Sequence, residues 1–283
     1  MIFHRFEERG LFHYSYAIGS EKNGQIAIVD PCFDVEVYLH FAEKHQYIIS
    51  HVLETHIHAD YISGAYELTK RARATLISPV TDENKKRVSP NYLRLNSIVI
   101  KVLQTPGHTP EHVCFLVYDI SISQENPIAL FTGDLIFPRS IGFPEVMDKK
   151  IWIGLAKKLY TSLQEQIIPL ANNITIYPTH GTGFSSEFEV SEKKSVHEIK
   201  VIQEKIYTNI EQEKLYNPYL NENLTEKAFI DLLYNHVVPL PAYYERIKMK
   251  NAHYLDQGGE FPNPYEALEF KELIESGATV IDL

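Results

Sequence analysis

Apolar residues form short alternating or clustered runs along the first third of the chain, which predicts strands separated by helices. Residues 12–19 alternate polar and apolar side chains, and residues 24–30 form a β-branched run that ends at a proline turn. Both patterns indicate strands. Apolar positions recur at helical spacing over 35–45 and again over 65–72, which predicts two helices. Between them, residues 47–55 form an apolar run that predicts a buried strand.

The middle of the chain is richer in strands. Four apolar runs predict strands at residues 74–79, 97–105, 112–120 and 127–134. A helical region follows, with an apolar face formed by Trp152, Leu155, Ala156, Leu159 and Leu163. Residues 173–181 predict a further strand that runs into a loop. From about residue 195 the pattern is helical again. An apolar stripe, predicted to serve packing, is formed by Ile199, Ile202, Ile206 and Ile210.

These successive sets of strands and helices predict two sheets that pack face to face with helices on the outside. Periodicity alone restricts the fold to an α/β or α+β class with one main domain. A chain of 283 residues can bury one sizeable core. Residues 240–265 are rich in proline, glycine and aromatic residues, which predicts a linker or a strap. The last residues predict a short helix, a turn and the start of a strand.

Composition and charge argue against several functional classes. Hydrophobic content of 44% and charged content of 23% are typical of globular proteins, and no apolar run is long enough to predict a membrane-spanning helix. A net charge of -10 without a basic cluster argues against nucleic acid and anionic membranes as partners. Residues 1–10 lack the pattern of a secretory signal, so we expect a cytoplasmic location. With only Cys32 and Cys114, neither a disulfide framework nor a cysteine-rich zinc site is predicted.

The segment HIHAD places His56, His58 and Asp60 at alternate positions just after a predicted strand. Alternate residues of an extended segment project to the same side, so these side chains can converge. Imidazole and carboxylate groups are ligands of zinc, iron and manganese. Taken alone, such a segment more often consists of polar residues at the end of a strand than of metal ligands.

Three further motifs also place a histidine or an aspartate beyond an apolar strand. His108 follows a Pro-Gly turn, Asp134 follows a strand and a glycine, and His180 follows the strand at 173–178. A buried aspartate needs a cation or hydrogen-bond partners, because an unpaired buried carboxylate is costly. His112 begins the next strand and is predicted to be structural. The shared placement of these residues predicts a common metal site.

The motifs HIHAD, GHT, TGD and YPTHG, in this order, resemble those of the metallo-β-lactamase superfamily over roughly residues 1–190. The resemblance implies an αβ/βα sandwich of two mixed sheets with helices outside and a metal at the strand ends. Within the superfamily, TPGHTPEH with ALFTGD and YPTHGTG is most similar to persulfide dioxygenases, especially those fused to a rhodanese domain. SGATVIDL resembles the first strand of a rhodanese domain. We therefore expect a metallo-β-lactamase-like domain over 1–240, a linker over 241–265, and the start of a truncated or missing rhodanese-like domain over 266–283.

The resemblance also implies a ligand set and a reaction. One Fe(II) per chain would bind His56, His108 and Asp134, an arrangement that leaves positions open for a persulfide and O₂. The implied products are sulfite and a free thiol, with glutathione as the usual carrier. Other residues of the implied catalytic site, which would face the substrate or orient the ligands, are His58, Asp60, Tyr61 and His180.

Two departures from the family pattern bear on this interpretation. Dinuclear hydrolases of the superfamily, such as glyoxalase II, carry a histidine where this chain has Tyr61, so the tyrosine favours one metal over two. The family usually shows Gly-Arg, then Pro or Thr, then Asp, where this chain has Gly142, Phe143, Pro144 and Glu145. An arginine there would suit a carboxylate substrate. Arg139 is the nearby candidate to replace it.

Three functions remain open from the sequence. The first is the iron persulfide dioxygenase. The second is a glyoxalase II-like zinc hydrolase of thioesters that uses His56, His58 and His108 with an activated water. The third is a degenerate, non-catalytic module that handles sulfur with a partner. A rhodanese domain or another sulfurtransferase is an expected partner, and the aromatic residues of the 240–265 segment suggest a homo-oligomer.

Overall fold

The apolar runs of the chain form two β-sheets in a computed structural model, which describes residues 1–8, 12–79, 90–146, 148–181, 207–235, 240–241 and 243–257. The first sheet has the order β1-β2-β3-β4-β5. Its strands are β1 (Ile2–Glu8), β2 (His13–Gly19), β3 (Gln25–Val29), β4 (Ile48–Leu53) and β5 (Thr75–Ile77). The first three strands pair antiparallel, whereas β3, β4 and β5 pair parallel. Parallel neighbours need a crossover, and helices α1 (Glu36–His45) and α2 (Ala65–Ala72) provide it.

The second sheet has the order β13-β12-β9-β8-β7-β6. Its strands are β6 (Tyr92–Leu95), β7 (Ile98–Gln104), β8 (Val113–Asp119), β9 (Ala129–Gly133), β12 (Thr175–Pro178) and β13 (Thr208–Asn209). Only β9 and β12 pair parallel among these described strands, and helix α3 (Lys149–Ser162) lies in the connection between them. The hairpin of β10 (Ile136–Phe137) and β11 (Ser140–Ile141) precedes this helix. The chain continues through α4 (Ile210–Tyr216), α5 (Glu226–Tyr234) and α6 (Tyr244–Gln257).

Three apolar clusters hold the layers together, which confirms the predicted αβ/βα sandwich. Ala27 and Val29 of β3 face the cluster between the sheets, while Ile26 and Ile28 face the cluster under α1 and α2. A strand that is buried on both faces reads as a continuous apolar run, and this explains the run at 24–30. The third cluster packs α3 and α5 against the outer face of the second sheet, through residues such as Trp152.

The predicted elements of residues 12–181 are confirmed, and β1, β6, β10 and β11 are additional strands. Ile210 begins α4 directly after strand β13, so it does not continue a helix from the preceding residues as the predicted apolar stripe required. The other residues of that stripe, Ile199, Ile202 and Ile206, lie outside the described residues. The segment predicted as a linker or strap contains helix α6. Residues 258–265 and the rhodanese-like segment 266–283 lie outside the described residues. In the part of the chain that is described, no helix has the length and apolar character needed to span a bilayer.

Candidate metal centre

The carboxyl ends of strands from both sheets meet at one edge of the sandwich and carry the predicted site residues there. β9 and β12 run parallel, which places the segments that follow them, with Asp134 and His180, side by side. Two backbone hydrogen bonds join the sheets at this edge: Val113 donates to the Thr55 carbonyl at 2.8 Å, and Tyr14 donates to that of Thr179 at 2.7 Å. Residues distant in sequence are therefore fixed close to one another.

Three of the predicted residues form a group that could hold a metal ion. One ligand atom from each of His56, His108 and Asp134 lies within 4.8 Å of the other two, and all three residues are buried. Asp134 Oδ2 lies 3.7 Å from His56 Nε2 and 3.6 Å from His108 Nε2. Neither of these nitrogens has a hydrogen-bond partner within the described chain. Buried polar atoms are rarely left unpaired, so this arrangement fits a metal ion as the missing partner.

The other ring nitrogen of each histidine ligand is held by an oxygen. His108 Nδ1 lies 2.7 Å from the carbonyl oxygen of Phe143, and a carbonyl can only accept, so this nitrogen carries the proton. Thr55 Oγ1 donates to Asp30 and lies 2.9 Å from His56 Nδ1, so it can accept from that nitrogen. Both Nε2 atoms are thereby left with a lone pair for a metal. Burial and the neighbouring imidazoles also lower the pKa of His56 well below its usual range, which keeps it neutral.

The Asp134 carboxylate is held so that its two oxygens face different neighbours. Thr179 donates its hydroxyl to Oδ1, and His180 Nε2 lies 3.7 Å from the same oxygen. His180 is itself fixed, because Nδ1 lies 3.0 Å from the Phe12 carbonyl and Nε2 lies 3.1 Å from Asp60. Asp134 Oδ2 is thus the oxygen presented to the two histidine ligands.

Charge reinforces the contacts of His180. Burial opposes its charged form, but the charge of Asp134 and the hydrogen bond with Asp60 raise the pKa of His180 to about 9. Burial also opposes the charged form of Asp60, yet the contact with His180 holds the pKa of that carboxyl below its usual range. The two side chains therefore form a buried ion pair at neutral pH, beside Asp134.

His58 is placed differently from His56, although the sequence suggested that both could face a metal. His58 Nε2 lies 3.1 Å from Asp30 Oδ1, and the metal-binding group does not include it. Burial disfavours the charged ring, but the hydrogen bond and the charge of Asp30 outweigh it and raise the pKa of His58 to about 9. The other ring nitrogen of His58, Nδ1, has no hydrogen-bond partner in the described chain, but it lies outside the group of three ligand atoms.

Asp30 is a site residue that the sequence reasoning missed. It also accepts hydrogen bonds from Thr55, at 2.8 Å from the backbone nitrogen and 2.9 Å from the hydroxyl. Its φ of 48° lies in the left-handed region, which aspartate tolerates better than most residues. The available signal was an aspartate directly after an apolar strand, the same signal that identified Asp134.

Tyr61 fills the position where dinuclear relatives carry a histidine. Only 3% of the residue is exposed, and its ring packs on His13 and His58 at centroid distances of 4.1 and 4.5 Å. Its hydroxyl lies 3.4 Å from the Asp30 carbonyl. Burial raises the pKa of this phenol well above its usual value, so it stays protonated. Tyr61 therefore packs behind His58 and is not part of the metal-binding group.

The segment 139–143 places no positive charge at the centre. Phe143 packs its ring on Tyr219, with centroids 5.8 Å apart. Arg139 lies over the ring of Tyr216 at 5.8 Å, and its backbone nitrogen donates to Glu213. Arg139 thus contacts α4 and does not replace the arginine of the family pattern at the site. A side chain at Gly142 would overlap the Asp134 carbonyl, so this turn must approach the ligands without a Cβ.

His112 lies beside the group without joining it. Its Nδ1 is 2.9 Å from Thr105 Oγ1, and its ring stacks on His56 with centroids 5.1 Å apart. It is fully buried, and burial lowers its pKa well below the usual range. Its predicted structural role remains a prediction.

Comparisons with known proteins agree with this architecture. Residues 9–180 match the family model of the metallo-beta-lactamase superfamily. A probable hydroxyacylglutathione hydrolase of Schizosaccharomyces pombe is 30% identical over 175 residues, which are 59% of this chain and 63% of that protein. The hydroxyacylglutathione hydrolase of Dictyostelium discoideum is 28% identical over 79% of this chain and 85% of its own. The matched part of this chain thus covers less than two thirds of the length of the first relative and more than two thirds of the length of the second.

Two solved structures resemble the chain over most of its length. A metallo-beta-lactamase from Staphylococcus aureus subsp. aureus COL has 30% identity and a TM-score of 0.77, covering 94% of this chain and 75% of that one. ETHE1 from Myxococcus xanthus has 26% identity and a TM-score of 0.69, covering 89% of this chain and 99% of that one.

Proposed function

Because the chain belongs to the metallo-beta-lactamase superfamily, we propose that it is a mononuclear iron persulfide dioxygenase. One observation carries the proposal: among the described residues, two histidines and one aspartate bring ligand atoms within 4.8 Å of one another, and His58 is not part of that group. Two histidines and one carboxylate are the ligand set of non-haem Fe(II) oxygenases, and this set leaves several positions open. The motifs GHT, TGD and YPTHG, which resemble those of persulfide dioxygenases, support the same function.

His56, His108 and Asp134 would hold the iron, whose bound form would supply the redox chemistry that joins a persulfide sulfur to oxygen. The overall reaction balances as RSSH + O₂ + H₂O → RSH + SO₃²⁻ + 2H⁺. The outer sulfur is oxidised, O₂ is reduced, and the sulfur–sulfur bond breaks to release the thiol. No protein nucleophile is needed in this scheme.

The surrounding residues would orient the ligands and restrict the pocket. Thr179 and His180 hold one oxygen of Asp134, so that the other is available to the iron. The carbonyl of Phe143 sets the tautomer of His108. Such outer contacts commonly change metal affinity or activity by one to two orders of magnitude.

The second candidate is a zinc-dependent thioester hydrolase, which the names of the curated relatives favour. That function would use His58 as a third histidine ligand together with His56 and His108. His58 would then have to lose the proton on Nδ1 and offer that nitrogen to the metal, while Nε2 keeps its hydrogen bond to Asp30. The group of close ligand atoms, which comprises His56, His108 and Asp134 without His58, argues against this candidate.

Metal analysis with two assays separates the candidates. Protein purified without oxygen should bind one iron per chain and consume O₂ when glutathione persulfide is added. It should hydrolyse a lactoyl-glutathione thioester far more slowly, with iron or with zinc. Bound zinc with thioester hydrolysis and no O₂ uptake would refute the dioxygenase. Failure to bind iron after anaerobic loading, with neither activity, would indicate the non-catalytic module.

A further inference from the structure

One face of helix α6 covers the metal centre. Tyr244, Lys248 and Asn251 are spaced four and three residues apart, so they project from the same side of the helix. Asn251 fixes this side to the HIHAD segment: its amide donates to the carbonyls of His58 and Tyr61, each at 2.8 Å. The helix lies beyond residues 9–180, the part of the chain that matches the family.

Lys248 joins this face to a metal ligand through Glu145. Its ammonium nitrogen lies 3.3 Å from Glu145 Oε2, and Glu145 Oε1 lies 3.4 Å from His108 Nε2. The Lys248 side chain is 27% exposed, whereas that of Glu145 is 9% exposed. The pair thus extends from the metal centre towards solvent, with the cation at the accessible end.

Lys248 brings to the edge of the metal centre a positive charge that segment 139–143 does not supply. The arginine of the usual pattern is replaced by Phe143, which packs on Tyr219, and Arg139 is turned to Tyr216. A carboxylate-bearing thiol carrier still needs a cation near the sulfur-binding positions. Lys248 can supply this cation from a different part of the chain. In the free protein its ammonium group is paired with Glu145.

We propose that helix α6 completes the substrate site, and that Lys248 binds a carboxylate of the thiol carrier after Glu145 gives way to it. This inference rests on the proposed function for its choice of carrier. A lysine recognises such a group as a compact charge with a flexible stem. Exchange of one carboxylate for another keeps the ammonium paired, so its desolvation is not an additional cost.

Calorimetric titration of metal-free protein with S-methylglutathione tests the contact without any turnover. This probe keeps both carboxylates of the carrier, and its methylated sulfur cannot form a thiolate or a persulfide. Lys248→Met should weaken binding by about tenfold or more, the loss typical of a charge-assisted hydrogen bond. Lys248→Arg should retain most of the affinity. Glu145→Gln should tighten binding several-fold, because it removes the competing carboxylate.

Lys250→Met is the matched control, because Lys250 is an exposed lysine of the same helix. It should bind the probe as the wild type does, and melting temperatures will show that all variants fold. In the iron-loaded enzyme, Lys248→Met should raise KM for glutathione persulfide about tenfold while changing kcat less than about threefold.

Equal binding by wild type and Lys248→Met, or no binding by the wild type, would overturn the inference. Loss of affinity in Lys248→Met together with no O₂ uptake by the wild type would support Lys248 as the carrier site and refute the dioxygenase. Normal O₂ uptake by the wild type with unchanged affinity in Lys248→Met would support the dioxygenase and overturn the role of Lys248. The two proposals can therefore fail separately.

Discussion

Asn251 joins α6 to the segment that carries His56, and we predict that its loss destabilises the protein measurably. The residue is buried, with 7% of its surface exposed. Its amide nitrogen donates to the carbonyls of His58 and Tyr61, and its oxygen accepts from the Ser63 backbone at 3.0 Å. Asn251→Ala removes all three hydrogen bonds and leaves three backbone groups without these partners.

The expected cost follows from the number of bonds. A hydrogen bond between neutral groups contributes about 1 kcal/mol net, so the substitution should lower the free energy of unfolding by about 3 kcal/mol. In a protein of this size, each kcal/mol lowers the melting temperature by about 2–4 °C. We therefore expect a decrease of roughly 6–12 °C.

Thermal unfolding followed by circular dichroism measures this decrease in metal-free protein. Hydrogen exchange measured by mass spectrometry locates it, since detachment of α6 should expose backbone amides of residues 54–64 to exchange. Asn223→Ala is the control. Asn223 is exposed, and its side chain holds no buried backbone group in the described structure, so its effect should stay within about 0.5 kcal/mol.

The reasoning would be refuted if Asn251→Ala melted within about 2 °C of the wild type and exchanged no faster in residues 54–64. A lower melting temperature with exchange unchanged in that segment would show that Asn251 stabilises the protein without holding α6 to the metal centre. The control would then distinguish a local effect from the general cost of replacing asparagine.

The remaining predictions concern the centre itself. His108→Ala should abolish iron retention measured by mass spectrometry, whereas His112→Ala should retain nearly one iron per chain; equal loss in both would contradict the ligand set. Tyr61→His should raise bound zinc above one per chain, because an imidazole there restores a ligand of the dinuclear pattern; unchanged stoichiometry would count against this role. Asp30 raises the pKa of His58 from 6.5 to about 9, which stabilises metal-free protein by about 3 kcal/mol below pH 6.5 and less as pH rises through 9. Asp30→Asn should lose that pH dependence in urea unfolding at pH 6 and 9.5; an unchanged dependence would assign it to other groups.

Local pattern was sufficient for most of the fold. The period of apolar residues predicted the strands and helices of residues 12–181, because strands buried on both faces and helices packed on one face leave distinct spacings. The motifs resemble those of the metallo-β-lactamase superfamily, and this resemblance implied His56, His108 and Asp134 as the ligands. Their placement beyond apolar strands indicated only that they belong to one set of polar residues at the same edge of the sandwich.

Contacts between distant residues decided how the centre is arranged. His58 and Asp30 are 28 residues apart, and His108 and the carbonyl of Phe143 are 35 apart. Such hydrogen bonds leave no periodic signal, so alternate spacing alone could not tell that His56 joins the metal-binding group while His58 pairs with a carboxylate.

The position of helix α6 could be predicted from the local sequence pattern even less well. Its proline- and glycine-rich surroundings predicted a linker or strap, and nothing in the local pattern relates Asn251 to His58. The amide reaches the His58 carbonyl across 193 residues because tertiary packing brings the helix over the strand ends. The sequence by itself therefore predicted the strands, the helices and two packed sheets, and its resemblance to a known superfamily implied the three candidate ligands. Only the tertiary structure decided the pairing of His58 with Asp30, the tautomer of His108 and the position of Lys248, because each depends on a partner that folding brings from far along the chain.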